Sequence, residues 1–279
     1  MSSRMLINAV DPEEYRVAIL KNGDLDEFYI ETSTKEETKG NIYRGVVTRV
    51  EPSLQACFID YGTEKNGFTP IEEIHPEYYE TQGIISKPKT HTLIEKVLKK
   101  GRELLVQVTK ETVGRKGAYL TTYISIAGRY LVLTPGRTGG GVSHKIEDDV
   151  ERQRLKSVMN QLKFPESVGY IVRTVALGQK KRVIARDLNN LLRMWQDIKK
   201  RAEARPSRSL IFKEQDLGLR AVRDYFTAEI DEVLVDDRET WSEIKDFMRI
   251  ISPRHQKIVR HYKEKKPIFS EYGIEKQIE

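Results

Sequence analysis

Cysteine is nearly missing from this chain: Cys57 is the only one in 279 residues. A lone thiol excludes an internal disulfide and leaves no cysteine-built zinc site within one chain. Long apolar runs are missing as well; none approaches the ~20 residues that a membrane-spanning helix needs. The N-terminus lacks a signal-peptide pattern, and with the scarce cysteine this sets the expectation of a reducing cytoplasm. There are no internal repeats and no low-complexity tracts. No nucleophile-elbow pattern accompanies the five histidines, so nothing in the sequence marks a Ser-His-Asp hydrolase. Negative charge is in the minority: 48 Lys and Arg against 42 Asp and Glu leave a formal net charge of +6. That balance favours a polyanionic partner, although many mildly basic proteins have none.

What is present is organised around Asn41 to Pro70, NIYRGVVTRVEPSLQACFIDYGTEKNGFTP. Ile42 to Val50 alternates and is rich in β-branched residues, and Glu51-Pro52-Ser53 breaks it. Leu54 to Asp60 is a second run ended by Tyr61-Gly62, and Asn66-Gly67 turns into a third run that starts at Phe68 and closes at Pro70. Short strands with glycine at the corners suit a small antiparallel barrel. Phe58 and Phe68 fall on adjacent strands. Facing solvent they would make a stacking platform for unpaired bases, with Tyr43 or Tyr61 beside them; facing inward they would be core.

Before this stretch, Met5 to Val10, Tyr15 to Leu20 and Asp26 to Glu31 read as strands, with turns at Asp11-Pro12 and Asn22-Gly23 and a polar link from Thr32 to Gly40. After it, Glu72 to Lys89 reads as a surface loop or short helix, and His91 to Lys100 as a short helix. Glu103 to Val108 and Ala118 to Ser125 complete a five-stranded barrel, and Lys110 to Gly117 forms a basic hairpin tip that carries Lys116. Tyr130 to Thr134 reads as a strand, Pro135 to Gly141 as a flexible cationic loop, Ile146 to Leu162 as a helix and Gly169 to Thr174 as a strand. Lys180-Lys181-Arg182 opens a long amphipathic helix whose apolar stripe is Leu188, Leu191, Leu192, Trp195 and Ile198. The tail alternates between strand (209–212, 232–235, 257–262) and helix (219–226, 238–250). At this length two domains fit, or one domain with an insertion.

Several long segments in order resemble the bacterial ribonuclease E/G endoribonucleases: RMLINAV, the Asn41 to Pro70 barrel stretch, GRKGAYLTTYISIAGRYLVLTP, GYIVRTVALG and FSEYGIEKQIE. The resemblance covers the whole chain. It implies an α+β fold: a split RNase H-like subdomain (1–37 and 217–279) with an inserted five-stranded OB-fold barrel (38–122) and an α/β 5′-sensor subdomain (123–216). It assigns RNA contact to Phe58, Phe68 and Lys116. It assigns a 5′-monophosphate pocket to Arg173 and Thr174, lined by Gly128 and Val132. A guanidinium offers two parallel donors to a terminal phosphate, and a threonine hydroxyl adds another. Where the ribonuclease E branch often has a second basic residue, this sequence has His144, with Lys145 adjacent; that departure leaves the role of His144 open.

The resemblance further implies a parent enzyme that cuts single-stranded RNA with Mg²⁺ in mRNA decay and in rRNA and tRNA maturation, assembled as a homo-oligomer through zinc. Its metal-binding aspartates and zinc-binding cysteines would lie beyond Glu279, so the expectation is that this chain binds RNA without cutting it. The carboxylates within the chain read otherwise: Asp148-Asp149 and Asp236-Asp237 sit at helix starts, where capping accounts for them. Asp187, Asp216 and Asp231 complete the candidates for a metal. Two competing readings are a self-standing OB-fold RNA-binding adaptor and an RNase H-like nuclease acting through its own acids.

Overall fold

A computed structural model describes residues 2–11, 13–32, 38–79, 93–111 and 116–278. In chain order the elements are β1 (Ser3–Asn8), β2 (Glu14–Lys21), β3 (Asp24–Thr32), β4 (Ile42–Glu51), β5 (Ala56–Asp60), β6 (Gly67–Pro70), α1 (Ile94–Val97), β7 (Glu103–Lys110), β8 (Tyr119–Thr121), β9 (Ile126–Ala127), β10 (Leu131–Pro135) and β11 (Gly140–Val142). There follow α2 (Asp149–Asn160), β12 (Val168–Val172), α3 (Lys181–Ala204), β13 (Ser209–Phe212), α4 (Leu217–Tyr225), β14 (Glu232–Val235), α5 (Arg238–Ile251), β15 (Val259–His261), α6 (Ile268–Glu271) and α7 (Glu275–Ile278). Among the described residues no helix is long and apolar enough to cross a membrane. Parts of five sequence readings fall outside the described residues: the Asp11-Pro12 turn, the polar link, the loop after Tyr79, the start of the helix read over 91–100, and the middle of the basic hairpin tip.

The chain divides into two compact units. One is built from its two ends, up to residue 37 and from 215 onward; the other is the continuous stretch 38–214. In the first unit a five-stranded sheet runs β15-β14-β1-β2-β3. The meander β1-β2-β3 is antiparallel, and its β2–β3 turn is Asn22-Gly23 with both φ angles positive, the geometry that an Asn-Gly dipeptide favours. The face that these strands need covered is supplied from the far end of the chain. Strand β14 joins β1 in parallel and β15 joins β14. Successive side chains of β1 go to opposite faces. Met5 and Ile7 pack with Val17, Ile19 and the apolar sides of α4 and α5. Leu6 packs with Ala18, Leu20, Leu234 and Phe269. Asp216 caps α4 and Asp237 caps α5, each carboxylate accepting a first-turn N–H. The strand expected over 257–262 is shorter, because Pro253–Ile258 winds into 3-10 turns that leave only Val259–His261 for the sheet.

In the second unit the barrel forms as expected: β4-β5-β6-β8-β7, closed by β7 pairing back to β4. Its interior is Val47, Ile59, Leu104, Val106, Val108 and Leu120, and α1 closes one end with Ile94 and Val97. A Cβ on Gly45 would stand 2.5 Å from the Ile59 side chain, so the corner admits glycine alone. Strand β13 pairs with β4 and extends the barrel sheet to six strands.

The second sheet of this unit runs β11-β12-β10-β9 and is covered by α2 and α3 through Leu131, Leu133, Val172, Leu155, Ile184, Leu188 and Leu191. The cationic loop expected over 135–141 is partly a strand: Gly140–Val142 pairs in parallel with β12. Gly136 and Gly139 do turn, with positive φ, but Gly140 serves packing instead. A Cβ on Gly140 would fall inside the Tyr170 ring, at 2.0 Å from Cζ.

Candidate nucleic-acid interface

The outer wall of the barrel carries the first surface. On β5, Cys57 and Ile59 point inward and Phe58 outward; on β6, Gly67 and Thr69 are buried and Phe68 is outward. The register sets Phe58 directly opposite Phe68, and their rings lie 5.8 Å apart, edge to face. Both rings are half-buried, against each other rather than in the core. Tyr119 on β8 pairs with Phe68 and brings a third ring to 5.7 Å. Cations flank the row: the Arg49 guanidinium lies 4.5 Å from the Phe58 centroid, and Lys110 Nζ lies 5.7 Å from that of Tyr119. Such offset and edge contacts leave ring faces open for stacking.

Lys116 is exposed and sits one residue before Gly117, whose missing Cβ lets the backbone pass the Asn66 carbonyl, 1.9 Å from where a Cβ would be. That close approach places Lys116 beside the start of the Phe68 strand. The two tyrosines suggested as companions do not belong here. Tyr43 and Tyr61 are 7% and 3% exposed and pack on each other inside the barrel, because their strand positions alternate with those of the outward residues. Tyr119 is the companion instead. It is flanked by buried Ala118 and Leu120, so period-two alternation in GAYLTT carries a signal that places it outside with Phe68.

The second surface lies where β12 ends. Val172 is the last strand residue; Arg173 is extended and Thr174 opens a 3-10 turn. The Arg173 N–H donates to the Tyr130 carbonyl (2.8 Å), and its Nη1 donates to the Gly128 carbonyl (2.7 Å). The 128–131 turn that receives it is held from below by Asp187 of α3. The Asp187 carboxylate accepts N–H bonds from Arg129 (3.2 Å), Tyr130 (2.8 Å) and Leu131 (3.0 Å). Burial pushes the Asp187 carboxyl above its usual range, opposed by these three donors and by the charge of Arg173. Gly128 leaves room for the carboxylate: its Cβ would stand 2.7 Å from Asp187 Oδ2.

Val132 faces Ile171 across the β10–β12 pair, on the sheet face away from the helices, and Ile171 is 45% exposed. Alternation along β12 puts Arg173 on the same side as Ile171. Thr174 Oγ1 lies 3.3 Å from Ser143 Oγ, because the Ser143 N–H bonds to the Val172 carbonyl and holds the two segments side by side. His144 and Lys145 follow, both exposed. The structure thus brings Gly128, Val132, Arg173 and Thr174 to one edge of the sheet, with an apolar patch beside a guanidinium and a hydroxyl. The exposed imidazole of His144 flanks it.

The aspartates weighed as metal ligands are used elsewhere. Asp148 caps α2, Asp216 caps α4, Asp237 caps α5, Asp231 accepts the Ser3 N–H, and Asp236 accepts from Asn8 and the Ala9 N–H. Among the described residues no three His, Cys, Asp or Glu side chains converge as metal ligands. Cys57 is fully buried, and burial pushes its thiol up to about 12, which suits a core side chain rather than a zinc ligand. The described residues therefore do not fit either metal.

Comparison with known proteins gives two family matches: the S1 RNA binding domain over residues 36–122 and the Ribonuclease E/G family over residues 125–279. The chain is 43% identical over 278 residues to ribonuclease E of Haemophilus influenzae and 42% identical over 279 residues to that of Escherichia coli. Each alignment takes in 99% of this chain but 29% and 26% of the relative. It is 37% identical over 279 residues to ribonuclease G of Escherichia coli, covering 57% of that protein. The chain thus spans between about a quarter and three-fifths of the length of these relatives. With the barrel matched to an RNA-binding domain and residues 125–279, more than half of the chain, to the family itself, the chain belongs to the ribonuclease E/G family.

Proposed function

We propose that this chain is the RNA-holding, 5′-end-reading portion of a ribonuclease E/G-type endoribonuclease. The Phe58–Phe68–Tyr119 wall takes unpaired bases, with Lys116 and Arg49 against the backbone, while Arg173 and Thr174 take a 5′-monophosphate. One observation carries the second half of this reading: Arg173 is braced, not merely exposed. Its guanidinium is pinned at Gly128 over a turn that Asp187 holds with three hydrogen bonds, so it is ordered before any ligand arrives. A terminal phosphate carries roughly −1.5 to −2 charges and three acceptor oxygens, which a hydroxyl end lacks.

The test is binding of one short oligonucleotide in 5′-phosphorylated and 5′-hydroxyl forms. The phosphorylated form should bind more tightly, and Arg173→Ala should erase a preference on the order of 1.5–3 kcal/mol. Equal affinity for both ends in the unmutated chain overturns the sensor.

The parent enzyme, in this reading, cleaves single-stranded RNA in mRNA decay and in rRNA and tRNA maturation, using Mg²⁺ held by residues other than those described, and this chain binds without cutting. The capping and backbone roles of its aspartates support that division. Incubation with Mg²⁺ and a fluorescent single-stranded RNA should leave the RNA intact; endonucleolytic cleavage that co-purifies with the chain refutes it.

A further inference from the structure

The long helix α3 has a second use. Its apolar side is spent on the core through Ile184, Leu188, Leu191 and Ile198. On the opposite side, Arg182, Arg186, Arg193 and Lys200 are all exposed, at spacings of four, eleven and eighteen residues from the first. At about 100° per residue these four fall within roughly 40° of one another, a single stripe some 27 Å long. The exposed residues between them on that line are Asn189 and Gln196, both amides. The nearest acids on α3 are Asp197, about 40° from Arg193 and about 60° from Lys200, and Glu203, about 60° from Lys200 on the other side. None of the four cations is ion-paired among the described residues. A cleft of about 490 Å³ opens along one flank, between Arg193 and Arg201, lined also by Met194, Asp197, Ile198 and Phe212. Its second cation, Arg186, is next in sequence to Asp187, the residue supporting the 128–131 turn.

We propose that the solvent face of α3 is a phosphate track, along which the RNA chain runs once its 5′ end is seated at Arg173 and Thr174. This rests on the 5′-end reading above. A row of three guanidinium groups and one ammonium, with Asp197 and Glu203 set to its sides, suits a flexible polyanion, and amides between them donate to phosphate or sugar oxygens. The cleft gives an apolar floor to a base that turns in from the track. An anionic membrane is the poorer fit. A helix that lies on lipid buries an apolar face in it, and this helix has its apolar face in the protein core.

The test compares the unmutated chain with two variants of equal net charge. One is Arg182→Gln, Arg186→Gln, Arg193→Gln, Lys200→Gln; the other is Arg254→Gln, Lys257→Gln, Lys263→Gln, Lys265→Gln, all exposed positions in the other unit. Affinity is measured against salt for a 5′-phosphorylated single-stranded RNA long enough to run the length of α3, and for a 5′-phosphorylated dinucleotide. The α3 variant should lower the salt slope for the long RNA by roughly 3, at ~0.7 per neutralised phosphate, and raise its Kd by about tenfold or more. Dinucleotide binding and the phosphate-over-hydroxyl preference should persist in that variant, and the control variant should change the slope far less. The α3 substitutions keep helix-forming residues on an exposed face, and the control substitutions are at exposed positions, so both variants should melt with the parent. An unchanged slope in the α3 variant, or an equal loss in the control, overturns the track while leaving the sensor intact. Loss of phosphate preference in the unmutated chain removes both. Binding to anionic phospholipid vesicles that the α3 variant alone abolishes, with RNA affinity unchanged, also overturns it.

Discussion

In the proposed reading, Tyr119 and Asp187 divide the work of recognition between contact and support. Tyr119 offers a ring beside Phe68, whereas Asp187 touches only backbone and fixes where Arg173 can sit. The distinction is measurable. Phe58→Ala and Tyr119→Ala should each weaken single-stranded RNA binding by about 1–3 kcal/mol per stacked base, with the melting temperature nearly unchanged. A fall in melting temperature without loss of affinity would make these rings part of the core. Phe58 and Phe68 were legible as a pair from their strand positions, yet composition could not say which way they faced. Register decided it: Phe58 stands opposite Phe68 while their neighbours Cys57, Ile59 and Thr69 turn inward. Asp187 was visible only as one acid among several, because its three partners lie some 56 to 58 positions away in the chain.

Among elements, the turn after Thr174 depends on a helix that precedes it. Glu151 on α2 pairs with Arg154 through two 2.6 Å contacts and accepts the Gly178 N–H at 2.7 Å. The Arg154 guanidinium, followed by that N–H, holds the Glu151 carboxyl down at about 2 against an ordinary value of 4.5. A depressed carboxylate stabilises the fold above its unfolded value and loses that contribution as pH falls through its folded value. The unmutated chain should therefore exceed Glu151→Gln in stability near neutrality by on the order of 1 kcal/mol, the scale of a partly exposed pair. Urea midpoints of the two should converge as pH drops from about 4.5 toward 2, and a gap that persists at the acid end would show that packing, not charge, is responsible. Helix starts at this scale were readable in advance. Asp148 and Asp237 do cap α2 and α5, since a carboxylate ahead of a first turn meets free N–H groups whatever the tertiary context. Strand β11 was not readable, because its first glycine, Gly140, answers to the Tyr170 ring rather than to a turn.

For the whole molecule, the split of one unit around the other has a folding consequence. Residues 38–214 are continuous, carry their own barrel and sheet cores, and have adjoining ends, with the Glu214 N–H bonded to Asn41 Oδ1 at 2.8 Å. Expressed alone, this segment should unfold cooperatively, whereas residues 215–279 alone should not, lacking the β1–β3 meander that β14 completes. A non-cooperative, dye-binding 38–214 segment would overturn this independence.

The sequence by itself determined the local alphabet: short strands with turn dipeptides, helix caps, the amphipathic stripe of α3, the cationic balance and the family whose motifs run through the chain. These are properties of neighbouring residues, set by backbone sterics and the period of apolar side chains. Tertiary structure alone decided which rings face water, which acid braces Arg173, and the register by which β14 joins β1 in the sheet shared by the two ends. Those outcomes depend on pairings between residues far apart in sequence, where register and burial, rather than local preference, carry the free energy.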